Sequence, residues 1–160
     1  MIKILNFKVS VEESRKHHMG LGGWIELKHN LVINKSITLE NQCDLLIPLQ
    51  RFYQNVVEFM HEGRNEIQID PNGGALNISV RKHGKNNLEV TIRKNNYSNP
   101  EILVEGLIDK SYFFLTMTDF YYKSLDFLIP SDSKDKEFLK NLANSLKRLK
   151  NEIEKEENKK

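Results

Sequence analysis

Five histidines are the residues best able to bind a metal or transfer a proton: His17, His18, His29, His61 and His83. A helical metal site needs ligands one turn apart, and a zinc site of mixed type needs a nearby cysteine pair. Neither spacing occurs, and the one cysteine, Cys43, has no partner for a disulfide or a cysteine-based zinc site. The histidines are therefore expected on loops and surface, with no metal held by two of them, and Cys43 as a buried or half-buried spacer. The run Gly20-Leu21-Gly22-Gly23 lacks the Gly-Lys-Ser/Thr ending of a phosphate loop, and strand-like rather than helical sequence follows it. Glu66 with Asp70, and Asp119 with Asp126, are the carboxylate pairs that could serve as acid and base. Nothing in their spacing sets a working separation, so solvated charge is the expectation. No Gly-x-Ser-x-Gly elbow is present to mount a nucleophilic serine. A non-catalytic protein without a cofactor is the resulting expectation.

Basic residues gather twice on the strand-forming part of the chain. Arg81, Lys82, His83 and Lys85 sit at one hairpin tip, and Arg93 with Lys94 at the far end of the next strand, so a strand's length should keep the groups apart. No aromatic stacking motif accompanies them, which makes nucleic-acid binding a minor alternative. The net charge of +2 conceals an asymmetry: residues 1–133 carry 15 basic against 16 acidic side chains, residues 134–160 nine against six. Only the C-terminal segment departs toward basic.

At 160 residues, 39% apolar and 29% charged, the chain can close one hydrophobic core. No apolar run approaches the roughly 20 residues that span a bilayer, and the N-terminus shows no signal-peptide pattern, so a cytosolic protein is expected. Alternation of Ile2, Ile4, Phe7, Val9 and Val11 predicts a strand over 2–11, and the polar, glycine-ended segment 12–23 predicts a loop. Alternation from Trp24 to Leu39 predicts two short strands or one bent strand. Leu49, Phe52, Tyr53, Val56, Phe59 and Met60 recur at three- and four-residue steps, predicting a helix over 48–62 with Pro48 in its first turn and Gly63 after its end. Turn sequences at 71–74, 83–87 and 95–100 separate strands over 66–70, 75–82, 88–94 and 102–107. Asp109 or Ser111 can cap a second helix reaching about Ile129, with Phe113, Met117, Phe120, Tyr121, Leu125 and Leu128 on one side.

The predicted architecture is an α+β fold, an antiparallel meander with two helices packed on one face and an extra C-terminal helix. Residues 1–130 form the single α+β domain, and 131–160 the appended amphipathic helix, capped by Ser131 or Ser133 and frayed from about 154. Leu139, Leu142, Leu146, Leu149 and Ile153 make a heptad seam of barely two heptads, shorter than the roughly three to four that define a coiled coil. Docking on the protein's own domain is favoured, with Phe138 widening the stripe. Self-association through the seam is the alternative.

Three stretches resemble small bacterial immunity proteins of polymorphic toxin systems, especially the WapI-like group. They are Gly22-Gly23-Trp24 with the later Asp44-Leu45-Leu46-Ile47-Pro48-Leu49-Gln50-Arg51-Phe52; the meander of Glu66 to Asp70, Leu76 to Val80 and Leu88 to Ile92; and Val104 to Tyr112, which contains an Asp-x-Ser-aromatic step. The resemblance spans roughly residues 22–130. It implies a cytosolic inhibitor that binds a cognate toxin domain stoichiometrically, without catalysis or cofactor, and transfers no site residue. The near-neutral core departs from the acidic character common among nuclease inhibitors. A structural or regulatory interaction module, homodimeric through the last helix, is the alternative function.

Overall fold

The computed structural model describes residues 7–11, 16–19, 24–33, 35–44, 46–61, 63–69, 76–94 and 99–159; for 7–11, 17, 24–33 and 35–44 it describes the backbone alone. The strands are β1 (Phe7–Val11), β2 (His17–His18), β3 (Trp24–Ile33), β4 (Lys35–Asp44), β5 (Glu66–Ile69), β6 (Leu76–His83), β7 (Asn87–Lys94), β8 (Glu101–Asp109) and β9 (Leu128–Ile129). The helices are α1 (Leu46–His61), α2 (Lys110–Ser124) and α3 (Ser133–Asn158). Strands β5-β6-β7-β8 form an antiparallel meander in that order, β1-β3-β4 a second antiparallel sheet, and β2 pairs with β9 in parallel. The protein is thus α+β.

Period-two alternation builds the meander. Ile67 and Ile69 of β5, Leu76, Ile78 and Val80 of β6, and Leu88, Val90 and Ile92 of β7 are all buried. The register sets Ile67 against Val80, Val80 against Val90, and Ile78 against Ile92, so one face of the sheet is apolar. A slip by one residue would turn this whole set to solvent. The β6–β7 turn holds Gly84 at φ +70°, a left-handed conformation that side chains with a Cβ rarely adopt. Lys82, expected in the basic tip, lies on the apolar side opposite Leu88, with Nζ 4.9 Å from the Phe59 ring centroid.

Leu49, Phe52, Val56 and Phe59 make the buried stripe of α1, and Gly63 beyond its end has φ +71°. Asp109 caps α2 by accepting from the Tyr112 N–H at 2.9 Å. Helices α1 and α2 interlock through Phe59 and Phe114, edge to face with centroids 5.4 Å apart.

Helix α2 ends earlier than its apolar pattern predicts: after Ser124 the chain tightens into a 3-10 turn at Leu125–Phe127 and extends as β9. The Ser124 hydroxyl donates to the Phe120 carbonyl at 2.7 Å, as the Thr116 and Thr118 hydroxyls do to Tyr112 and Phe114 within the helix. Pro130 then disfavours a helical Ile129. The extended pair Leu128–Ile129 matches His17–His18, which form a short strand where a loop was expected.

Helix α3 is capped by Asp132, not by either flanking serine. Its carboxylate accepts from the Asp135 N–H, and the Asp135 carboxylate accepts from the Ser131 N–H, both at 2.9 Å. The helix runs on to Asn158 because Ile153, only 2% exposed, anchors the segment expected to fray. Leu146 and Leu149 are buried likewise, and Leu139 and Leu142 are half-buried against the same core as α1, α2 and the meander. The seam is therefore covered within the chain, and the alternative of dimerisation through Leu139, Leu142, Leu146, Leu149 and Ile153 loses its buried members. Phe138 does not widen the stripe. It is 37% exposed, rotated off the buried line by the roughly 100° that separates neighbouring helical residues.

Candidate partner-binding surfaces

With helices on the apolar face of the meander, its other face carries the alternate residues of the same strands. Register arranges them in rows across the sheet. Glu66, Arg81, Glu89 and Leu107 form one row; Gln68, Ser79, Thr91 and Glu105 the next; Asn77, Arg93 and Ile102 a third. A register shift between Ile92 and Arg93 bulges β8 at Leu103 and brings Ile102, 52% exposed, opposite Arg93.

Side chains join these rows into a network. Ser79 Oγ donates to Gln68 Oε1 at 2.8 Å and accepts from Arg93 Nη1 at 3.1 Å. Gln68 Nε2 donates to Glu66 Oε1 at 3.3 Å, and Arg81 Nη2 lies 3.7 Å from Glu66 Oε2. From α1, Asn55 Nδ2 donates to the Gln68 carbonyl at 3.1 Å, tying the edge strand to the helix. Glu66, Ser79, Arg81, Glu89, Thr91 and Arg93 line a shallow depression of about 50 Å³, with Thr91 only 9% exposed at its centre. That volume admits no substrate of ordinary size. The face instead offers both signs of charge, fixed donors and acceptors, and an apolar edge at Ile102, the ingredients of contact with another protein.

A second concavity lies between α2 and α3. Thr118, Asp119, Tyr122, Leu146, Lys147 and Lys150 line a cleft of about 270 Å³. Lys147 Nζ stands 5.7 Å from the Tyr122 ring centroid, and Asp119 Oδ2 is paired with Lys123 Nζ at 2.9 Å.

The residues nominated for chemistry are scattered. His17 and His18 lie in β2, His29 in β3, and His83 at the exposed end of β6. His61 Nε2 is 3.2 Å from Glu152 Oε2 at the exposed α1–α3 junction. Among the described residues, no three His, Cys, Asp or Glu side chains gather as a metal site. Cys43 is in β4, and Gly20 to Gly23 and Asp70 lie outside the described residues. Glu66 belongs to the sheet network, Asp119 is held by Lys123, and Asp126 is exposed on the 3-10 turn. Of the basic residues expected to stay apart, Arg81 and Arg93 line one depression. Antiparallel pairing puts Arg93 opposite Asn77, and its long side chain reaches back to Ser79, one row from Arg81. The polar alternation of β5, β6 and β7 signals this face in the sequence, but cross-strand register is needed to see it as a set.

Comparison of the chain with protein-family models, with curated proteins and with solved structures gives no match.

Proposed function

We propose that this chain is a non-catalytic protein-binding protein, an immunity-type inhibitor that neutralises a cognate bacterial toxin domain by stoichiometric contact through the polar face of β5–β8. The network that holds Arg93 on Ser79, and Ser79 on Gln68, is the observation that supports it. Side chains already ordered in the free protein lose less conformational freedom on binding, which favours affinity. Opposed charges on adjacent strands can select a complementary partner and repel others. The resemblance of residues 22–130 to WapI-like immunity proteins supplies the kind of partner. No helix among the described residues is long and apolar enough to cross a membrane, and a cytosolic site of action belongs to the proposal.

The test is a search of the neighbouring genes for a toxin domain, whose absence would count against the inhibitor reading, and co-expression with the domain found. The native chain should restore growth and bind the domain one to one by calorimetry. Arg93→Glu combined with Arg81→Glu should abolish rescue while the circular dichroism spectrum is unchanged. Full rescue by this double variant would remove the sheet face from the interface, and growth arrest despite the native chain would remove the inhibitor reading.

A further inference from the structure

We propose that the cleft between α2 and α3 is a second binding site, separate from the sheet face, and that it takes an acidic segment of a protein, seating a carboxylate against Lys147 and Lys150. The two lysines are one helical turn apart on α3 and line the same wall. Among the described residues no carboxylate lies within ion-pair distance of either ammonium. The opposite wall makes its own contacts: the Thr118 hydroxyl donates to the Phe114 carbonyl at 2.6 Å, and the exposed Asp119 carboxylate is paired with Lys123 at 2.9 Å. The cleft therefore presents two positive charges above an apolar floor, Leu146, beside the half-open ring of Tyr122.

Its shape narrows the ligand class. About 270 Å³ lies at the small end of ligand pockets, and suits one or two side chains. A glutamate or aspartate beside an apolar residue would place its charge on the lysines and its apolar neighbour on Tyr122 and Leu146. Within two turns of the lysines α3 adds Lys140 and Arg148, with no acidic residue between Lys140 and Lys150, so the field over this stretch is positive; Glu152 and Glu154 follow it. Such a field raises the local concentration of an acidic chain and speeds its encounter. A nucleic acid would need a series of exposed stacking rings, and the cleft offers one.

The experiment is an amide NMR titration of the full chain with a short end-capped peptide of alternating leucine and glutamate. Saturable shifts should concentrate at residues 118–122 and 146–150 and shrink as salt is raised. Lys147→Gln combined with Lys150→Gln, both at exposed positions, should weaken binding about tenfold without altering the spectrum elsewhere. Arg93→Glu on the sheet face should leave it unchanged. Three results would overturn the proposal: no saturable shift at these residues, equal binding of the glutamine-for-glutamate peptide, or tighter binding of single-stranded DNA at the same residues.

Discussion

Phe52 of α1 and Tyr121 of α2 stack with ring centroids 4.7 Å apart and planes inclined by 30°, both fully buried. The pair joins two helices separated by the whole β5–β8 meander in sequence. Offset stacking adds about 0.5–1.5 kcal/mol to what burial alone supplies. A second ring pair, Phe59 with Phe114, joins the same two helices, and Phe120 packs against Tyr121 from within α2.

Removing one ring should be costly. Phe52→Ala is expected to lower unfolding free energy by about 3–5 kcal/mol, through lost transfer energy and the cavity left behind. Urea denaturation followed by far-UV circular dichroism measures it. A loss under about 1 kcal/mol would mean that the α1 face is misplaced.

The C-terminal helix yields a second prediction because its seam lies inside the chain. Leu149→Ala should cost about 2–5 kcal/mol, as for a core leucine, with the mass by light scattering unchanged. Deleting residues 134–160 should lower stability and expose the apolar surface that Leu146, Leu149 and Ile153 cover. A truncated chain that keeps its stability while halving in mass would instead place the seam between two copies.

At the junction between β8 and α2, Asp109 caps the helix and the Lys110 N–H donates to the Asn86 carbonyl at 2.8 Å. Asp109→Ala should destabilise by about 1 kcal/mol, since the Tyr112 N–H loses its acceptor, while Asp109→Asn should retain most of the stability because its side-chain oxygen can still accept. Equal losses in the two variants, compared by thermal unfolding, would show that charge rather than the cap bond matters at this position.

Much of the meander and of α1 was legible in the sequence because the information is local. Turn residues and two-residue alternation place β5, β6 and β7 within about a residue of their expected bounds, and three- and four-residue spacing marks Leu49, Phe52, Val56 and Phe59 as the buried face. The Asp109 cap was legible as one of two choices. Less was legible in the N-terminal third, where β4 runs on to Asp44, well past the expected end at Leu39.

Local pattern does not carry the choice between equal candidates or the meeting of distant segments. The heptad leucines of α3 could face another chain as well as their own, and only the packing of α1 and α2 provides the surface that covers them. Past the end of α2, Leu128 and Ile129 meet a strand partner more than a hundred residues earlier in the chain, which no local pattern announces. Arg81 and Arg93, far apart when read along the hairpin, share one depression because antiparallel register and a long side chain fold the distance back. The sequence by itself marked the buried faces of α1 and of β5, β6 and β7, since composition and period carry that, though not the exposure of Phe138. Which apolar faces meet, and which polar side chains gather outside them, was decided by tertiary structure, because register and helix docking are set by many weak contacts acting together.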